Sequence, residues 1–212
     1  MVQLGMPGAM DELTATSLRQ ALFSVGEVDV PVSNEFTDVE LDWADPANLE
    51  GFRPYEPNDG LFWDGSTNAE GTLWGGCCES LWALLALGRN LPHPEDLDQA
   101  VFFMETSEEI PPPFLPGYLL TVLGERGWLE QFSAILIGRP KAWSFDRQMA
   151  PAERSAFRQA QRDAVVKAVR TYNQTIPIVQ NLDFGHTDPQ VIVPNGNRAR
   201  IDATHRRVFF TY

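Results

Sequence analysis

Three short apolar runs in the second half of the chain are typical of buried β-strands. They cover residues 100–104, 132–137 and 176–179, and each is bounded by polar or turn-forming residues. Runs without polar alternation are expected where a strand is covered on both faces, as in parallel sheets. The pattern therefore predicts three central strands of a partly parallel sheet.

Helical segments separate these runs. Residues 114–126 and 151–172 carry apolar side chains at helical spacing, with Gly127 after the first segment and Pro151 near the start of the second. Glycine after a helix and proline in its first turn are common boundary signals. The order strand, helix, strand, helix, strand predicts an α/β fold.

The first quarter of the chain is less regular. Residues 11–23 are predicted to form a helix, and its apolar stripe must pack against another surface. The stripe consists of Leu13, Leu18, Ala21 and Leu22. Residues 28–60 combine acidic, proline and aromatic residues with little periodicity, which favours an ordered but irregular connection across a surface.

The remaining segments add antiparallel structure. Residues 60–74 alternate turn-forming and apolar residues, as short antiparallel strands do. A β-meander is predicted near the end of the chain, made of 191–193, 199–203 and 208–210 with a turn at 194–197. We therefore expect antiparallel hairpins beside the partly parallel sheet.

A glycine-rich segment, residues 75–80, opens a helix that runs to Leu87 and ends at Gly88. Such loops can hold an anion at a helix N-terminus. This one matches neither the GxGxxG pattern nor a P-loop, so a tight turn with close packing is the more common alternative. Glu79 lies in the first helical turn and is interpreted as a structural residue.

The charge and cysteine content narrow the range of functions. Sixteen basic residues against 29 acidic ones give a formal net charge of −13, which argues against nucleic acid and an anionic membrane as partners. The two cysteines, Cys77 and Cys78, are adjacent and form no CxxC pair, so neither a disulfide framework nor a zinc site is supported. Without a signal peptide or a membrane-length apolar run, a reducing, cytoplasmic location is expected.

Two polar residues that follow buried strands are the main candidates for chemistry. Glu105 comes directly after the apolar run 100–104, and His186 follows the run 176–179 after Gly185. If these strands are parallel, both side chains leave the sheet at its carboxyl edge, where α/β folds place their sites. A histidine oriented by a carboxylate is two thirds of a nucleophilic triad.

Structural alternatives remain open for these residues. His186 can be a polar residue satisfied by Asp183 or Asp188, and Glu105 can belong to a turn capped by Thr106 or Ser107. The same capping alternative is favoured for Glu108 and Glu109. A metal site built from Glu105, Glu108 and His186 is a further hypothesis, but no paired histidines support it.

No nucleophile is evident in the sequence. The GxSxG pattern is absent, and both cysteines sit at the start of a predicted packed helix. The serines Ser66, Ser80 and Ser107 lack elbow-like surroundings. The sequence therefore supplies candidates for the acid and the base of a triad, but none for its nucleophile.

Four stretches together resemble the LD-carboxypeptidase family of serine peptidases, in the family's order. They are Gly71-Thr-Leu-Trp-Gly-Gly-Cys, Val101-Phe-Phe-Met-Glu-Thr-Ser-Glu-Glu, Ile135-Leu-Ile-Gly-Arg-Pro and Asn181-Leu-Asp-Phe-Gly-His-Thr-Asp-Pro. The second and fourth stretches look closer to the microcin C self-immunity branch than to the murein-recycling branch. The resemblance implies a swivelling β/β/α C-terminal domain with a partly parallel sheet.

The resemblance also implies a serine–histidine–glutamate triad in which Glu105 and His186 match the family's glutamate and histidine. The family's serine belongs to an N-terminal domain, of which this sequence is expected to hold only a remnant in residues 1–27. Residues 28–60 would then be an inter-domain connection, and residues 61–212 the C-terminal domain.

This division leads to two functional hypotheses. The first is the C-terminal domain of a serine carboxypeptidase-like hydrolase, inactive alone, without cofactor or metal. It would act on a small peptide or an aminoacyl-nucleotide, as a homodimer or with a separate N-terminal domain. The second is an inactive binding or regulatory module that associates with a full-length homologue.

Two further expectations concern particular residues. The candidate ligand-binding residues are Trp43, Trp63 and Arg139. The helix at 11–23 should leave apolar surface exposed, because the rest of the N-terminal domain is expected to be missing.

Overall fold

The computed structural model describes residues 10–42, 44–50 and 52–212. The helices are Glu12–Phe23 (α1), Cys78–Leu87 (α2), Leu115–Glu125 (α3) and Pro151–Tyr172 (α4), with short 3-10 helices at Pro46–Glu50 and Pro94–Leu97. The strands are Glu27–Asp29 (β1), Glu35–Phe36 (β2), Glu56–Pro57 (β3), Phe62–Asp64 (β4), Ala69–Cys77 (β5), Val101–Glu105 (β6), Ala134–Gly138 (β7), Trp143–Ser144 (β8), Arg147–Gln148 (β9), Ile178–Leu182 (β10), Arg198–Asp202 (β11) and Arg207–Thr211 (β12).

Eight of these strands form one sheet in the order β1-β12-β11-β5-β6-β7-β10-β4. The four strands β5, β6, β7 and β10 are parallel, and the strands outside them pair antiparallel. The long strand β5 joins the two parts, because its first residues pair antiparallel with β11 and its last five pair parallel with β6. The predicted α/β fold, with a partly parallel sheet and added antiparallel hairpins, is confirmed.

Both faces of the parallel strands are buried, as the uninterrupted apolar runs predicted. In β6, Phe102 and Met104 pack with the layer formed by α2, α3 and α4. Val101 and Phe103 point to the opposite face, where they pack with residues of the antiparallel strands. The alternation follows from the two-residue period of a strand. Glu105, two residues after Phe103, therefore lies on the same face of the sheet as Val101 and Phe103.

Close packing also explains the glycine-rich segment before α2. A Cβ added at Gly75 would lie 1.8 Å from the carbonyl oxygen of Phe103 on the neighbouring strand. The helix that follows ends at Gly88, which adopts the left-handed conformation with φ +64°. The predicted close packing is present, but the segment is not a turn: residues 75–77 end strand β5, and α2 begins directly after them at Cys78.

The predicted meander is wrong for residues 191–193, which form no strand. The backbone N–H of Val191 donates to the carbonyl of Asp183, and that of Ile192 donates to Ser17 Oγ. Since these donors are used by a loop and a helix, they are not available for a sheet ladder. The final strands β11 and β12 form a simple hairpin.

Helix α1 buries two polar side chains within its apolar stripe, where Leu13 packs partly against the core, and it leaves the end of the stripe exposed. Thr14 and Ser17 are 3% and 1% exposed, whereas Leu22 is 63% exposed. The two hydroxyls accept hydrogen bonds of 2.8 Å from the backbone N–H groups of Gln190 and Ile192. The interface is thus set by two hydrogen bonds to a loop, which hydrophobic periodicity does not register.

The crossing segment, residues 28–60, is irregular as predicted and is tied to the body of the fold by ion pairs. Asp38 pairs with Arg158 at 2.5 Å, both almost fully buried. Three further pairs are Glu40 with Lys141, Arg53 with Asp188 and Glu56 with Arg154. Its role as an inter-domain connection, and the boundaries at 27 and 60, remain predictions.

None of the described helices has both the length and the apolar character that a transmembrane span needs.

Candidate active site

Glu105 is the last residue of β6, a strand with a parallel neighbour on each side. Its register partner is Cys77 of β5, whereas the pairing with β7 ends one residue earlier, at Met104. The preceding residue, Met104, is fully buried, whereas the side chain of Glu105 is 13% exposed. The strand therefore delivers a carboxylate from the core to the carboxyl edge of the sheet.

His186 reaches the same edge from a turn that follows β10. Phe184 is 3% exposed and anchors the turn in the core, where it packs edge-on against Phe103. Gly185 has φ +110°, and a Cβ at this position would lie 3.0 Å from Glu105 Oε2. Glycine is required here because of both the conformation and the close approach.

The two predicted residues meet. His186 Nδ1 lies 2.8 Å from Glu105 Oε2, so the imidazole N–H donates to the carboxylate. The alternative partners of His186 are engaged elsewhere: Asp183 pairs with Arg139, and Asp188 pairs with Arg53. The two side chains therefore meet at the carboxyl edge of the parallel strands, as predicted. The carboxylate contacts Nδ1, which is the arrangement of a carboxylate that orients a histidine.

A second carboxylate contacts the other imidazole nitrogen. Glu108 Oε2 lies 2.8 Å from His186 Nε2, and the Glu108 side chain is 58% exposed. The hydrogen bond with Glu105 is the main cause that raises the pKa of His186 above its usual value. Burial opposes this rise, the charges of Glu105 and Glu108 add to it, and Lys141 opposes it weakly.

The loop that carries Glu108 is attached to helix α2. Glu79 Oε1 accepts a 2.8 Å hydrogen bond from Ser107 Oγ, and the Glu79 carboxylate also accepts from the backbone N–H of Ser107. Ser107 Oγ in turn accepts from the backbone N–H of Glu109. Glu79 thus has the structural role expected of it, and it positions the loop residue that contacts His186.

Sequence reasoning favoured a capping role for Glu108 and brought it together with His186 only in the metal-site hypothesis, so their direct contact was not predicted. The pattern around Glu108 carries no signal for this contact, since loop conformation is not encoded by periodicity. Among the residues that the structure describes, no group of three His, Cys, Asp or Glu side chains is placed to hold a metal ion. The imidazole nitrogens of His186 instead face two carboxylates, on opposite sides of the ring.

Glu105, Glu108 and His186 open into a cleft of about 730 Å³. This volume falls in the range of small-molecule sites. Aromatic rings of Phe103, Phe145 and Phe184 form part of its wall. The remaining lining residues are Glu40, Leu41, Asp42, Arg53, Gly76, Cys77, Gly185, Gln190, Val191, Ile192 and Val193.

The cleft holds one thiol, that of Cys77. Burial is the main cause that raises its pKa to about 11, so at neutral pH it is present as the thiol rather than the nucleophilic thiolate. The Cys77 Sγ lies 3.2 Å from Glu79 Oε2. No serine is among the described residues that line the cleft, so the structure adds no nucleophile to those considered in the sequence.

Arg139 and Trp63, the two candidate ligand-binding residues that the structure describes, do not line the cleft. Arg139 is fully buried and pairs with Asp183 at 2.6 Å, and it packs over the ring of Phe36. Trp63, on β4 at the far edge of the sheet, packs partly against the core and borders a separate shallow groove. Trp43 lies outside the described residues.

A protein-family model matches most of this chain. The family model described as the LD-carboxypeptidase C-terminal domain matches residues 70–201, more than half of the chain and a range that includes Glu105 and His186. No curated protein matches the sequence significantly.

Solved structures of similar fold come from MccF and MccF-like proteins. An MccF-like protein from Streptococcus pneumoniae, in complex with AMP, is 25% identical, with a TM-score of 0.79 over 98% of this chain and 60% of that chain. MccF in complex with glutamyl sulfamoyl guanosine is 19% identical, with a TM-score of 0.73 over 96% of this chain and 57% of that chain. An MccF-like protein from Bacillus anthracis is 20% identical, with a TM-score of 0.70 over 96% of this chain and 58% of that chain.

The chain thus spans somewhat over half the length of these solved relatives. The match of the family model places the strands that carry Glu105 and His186 inside the recognised domain. This protein belongs to the LD-carboxypeptidase family and contains its C-terminal domain.

Proposed function

We propose that this chain supplies the glutamate and the histidine of a serine–histidine–glutamate triad in an amide hydrolase. The observation that carries the proposal is the 2.8 Å contact between Glu105 Oε2 and His186 Nδ1 at the edge of a large cleft. A carboxylate on Nδ1 holds the imidazole in the tautomer that leaves Nε2 available to a nucleophile, and it stabilises the imidazolium formed during the reaction.

In the proposed mechanism, Nε2 of His186 removes the proton of a serine hydroxyl as the serine attacks the amide carbonyl. The imidazolium, stabilised by Glu105, then protonates the leaving amine, and water hydrolyses the acyl-enzyme in a second cycle. The serine and the oxyanion-hole donors come from an N-terminal domain of the family's type, because no serine is among the described residues lining the cleft. Without such a domain we expect no hydrolysis.

We further propose an aminoacyl-nucleotide as the substrate class. Two solved relatives hold AMP and glutamyl sulfamoyl guanosine, which are a nucleotide and an aminoacyl-nucleoside analogue. Phe145, which is 52% exposed and lines the cleft, offers an aromatic face for a base. A murein tetrapeptide, the substrate of the family's other branch, is the comparison substrate in the test.

A second candidate function is an inactive binding or regulatory module. The position of Glu108, 2.8 Å from Nε2, favours it, because the negative charge stabilises the protonated ring, and a protonated Nε2 cannot accept a proton from a nucleophile. Such a module would bind a ligand in the cleft without hydrolysing it, and a full-length homologue would carry out the hydrolysis.

The deciding experiment is a hydrolysis assay with glutamyl-sulfamoyl-adenosine and with an L,D-tetrapeptide. The chain is tested alone and mixed with the separately expressed N-terminal domain of the Streptococcus pneumoniae relative, and association is followed by size-exclusion chromatography. The proposed function predicts hydrolysis in the mixture only, and loss of hydrolysis in His186→Ala and Glu105→Gln.

His205→Ala is the matched control, because His205 also contacts a carboxylate, Asp202 at 2.9 Å, but on an exposed surface away from the cleft. Hydrolysis by the chain alone would reveal a nucleophile that has not been identified. Association without hydrolysis of either substrate would favour the binding module.

A further inference from the structure

The contacts of His186 create a conflict with its proposed role as a base. Nδ1 lies 2.8 Å from Glu105, and Nε2 lies 2.8 Å from Glu108. Nδ1 donates a hydrogen bond to Glu105, and the carboxylate of Glu108 lies at ion-pair distance from Nε2. Two negative charges beside the ring favour the imidazolium, which cannot remove a proton from a nucleophile.

Glu108 is placed to be moved by a ligand. Its side chain is 58% exposed and lines the cleft, whereas Ser107, directly before it, and Ile110, two residues after it, are fixed. Ser107 is held by Glu79, and Ile110 is 3% exposed in a small apolar cluster with Ala142 and Phe157. Glu108 and Glu109 are the two exposed carboxylates between these fixed points, and of the two only Glu108 lines the cleft. An exposed side chain in such a short loop can turn at little cost in loop structure.

The charges around Glu108 favour a cation. The cleft is lined by four carboxylates, those of Glu40, Asp42, Glu105 and Glu108, against the guanidinium of Arg53. Arg53 pairs with Asp188, and the buried Lys141 pairs with Glu40, so both of these cations already have partners. Within the described residues, the group that balances Glu108 is the imidazolium of His186.

We propose that Glu108 binds an ammonium group of the substrate and, in doing so, releases Nε2 of His186 for catalysis. The inference rests on the proposed function, and it assigns a specificity role to a residue outside the triad. When an ammonium replaces the imidazolium as the partner of Glu108, the Nε2 proton passes to solvent and the ring becomes a base. A ligand without an ammonium leaves Glu108 on His186 and the site unable to react.

The first measurement is the titration of His186 by NMR in the ligand-free chain. The protein has three histidines, so the His186 signal is assigned by its loss in His186→Gln. Glu108→Gln should lower the pKa of His186, while Glu109→Gln, which removes the neighbouring charge outside the cleft, should leave it nearly unchanged. Glu105, Lys141 and Cys77 also lie near this group and are kept as they are in all three variants.

The second measurement compares two ligands by calorimetry. Glutamyl-sulfamoyl-adenosine carries an α-ammonium, and its glutaryl counterpart lacks only that group. We expect the ammonium compound to bind the wild-type chain about fivefold more tightly, the scale of one partly exposed ion pair. The preference should disappear in Glu108→Gln and persist in Glu109→Gln, and the ammonium compound alone should lower the pKa of His186.

Equal affinity for the two ligands, a preference that survives Glu108→Gln, or no binding of either ligand would each overturn the inference. The two proposals fail separately. Hydrolysis in the reconstituted mixture without any ammonium preference would reject the role of Glu108 and leave the triad intact. An ammonium preference that depends on Glu108, without hydrolysis in a mixture whose components associate, would support Glu108 as the ammonium ligand and reject the triad together with the release of Nε2 for catalysis.

Discussion

Gly185 lies directly against Glu105: a Cβ on the glycine would be 3.0 Å from both Cβ and Oε2 of the glutamate. The residue that follows the glycine is His186, so this contact sets the distance between the two candidate catalytic groups. The alignment of Glu105 with His186 therefore depends on the absence of a side chain at Gly185, as well as on the carboxylate and the imidazole themselves.

Gly185→Ala should therefore disturb the site and the fold together. The native φ of +110° is costly for alanine, by about 1–3 kcal/mol, and the new methyl group would press on Glu105. We expect a lower free energy of unfolding in urea and, by NMR, a fall in the pKa of His186 as its hydrogen bond to Glu105 is lost. Gly196→Ala is the control, because Gly196 has φ +85° but open space around it. An unchanged His186 titration in Gly185→Ala would contradict this account.

Glu105→Gln tests the carboxylate with little change in shape. The hydrogen bond to Glu105 is the main cause of the raised pKa of His186, so the substitution should lower that pKa, as measured by NMR titration. In the reconstituted hydrolysis assay we expect turnover to fall by about 10⁴, as when the triad carboxylate of a serine protease becomes an amide. Asp202→Asn removes the partner of His205 and should change neither quantity. A Glu105→Gln protein with full activity would remove Glu105 from the mechanism.

The raised pKa of His186 also predicts how stability depends on pH. The folded pKa lies above the unfolded value of about 6.5, so His186 contributes its full stabilisation below that pH and loses it as pH rises through the folded pKa. The difference in unfolding free energy between wild type and His186→Gln should thus be larger at pH 6 than at pH 9. Urea titrations at both values measure it. A difference that is constant or grows with pH would show that the carboxylates do not favour the imidazolium.

The buried pair of Arg139 and Asp183 predicts a large loss of stability on mutation. Both side chains are fully buried, and Asp183 also accepts hydrogen bonds from the backbone and hydroxyl of Ser33. Asp183→Asn leaves the guanidinium charge uncompensated, which should cost about 3–5 kcal/mol in a urea titration. Glu70→Gln, at an ion pair with Arg198 that is more than half exposed, should cost less than about 1 kcal/mol. Equal effects of the two substitutions would mean that burial does not determine how much unfolding free energy is lost when an ion pair is broken.

The hydroxyls of α1 should control the wall of the cleft. Thr14→Val removes the acceptor of the Gln190 N–H, and Ser17→Ala removes that of the Ile192 N–H. Each change leaves a donor without its partner and should cost about 1–3 kcal/mol. Amide hydrogen exchange at Gln190 and Ile192 should accelerate. Thr16→Val, on another face of the same helix, should leave both rates unchanged. Unchanged exchange in both variants would show that α1 does not hold this loop.

The location of the candidate site could be predicted from the sequence, because Glu105 and His186 each follow a strand that the local pattern of apolar residues indicates. Uninterrupted apolar runs indicated β6 and β10 as buried parallel strands, and parallel strands end at one edge. Glu105 and His186, 81 residues apart, could thus be expected to approach each other. The helix from Pro151 to Tyr172 was predicted with its exact bounds, since proline at its start and a regular period are both local signals.

The sequence by itself determined the main helices, the buried strands and the fold class, because each follows from the period of apolar residues. It also predicted that Glu105 and His186 leave the sheet at the same edge, provided that the strands are parallel. Only the tertiary structure decided which polar groups pair. The contact of Glu108 with Nε2, the burial of Thr14 and Ser17, and the pairing of Arg139 with Asp183 depend on loops brought together across distant parts of the chain. Ion pairs and hydrogen bonds require specific distances and directions, whereas periodicity records only which side of an element is apolar.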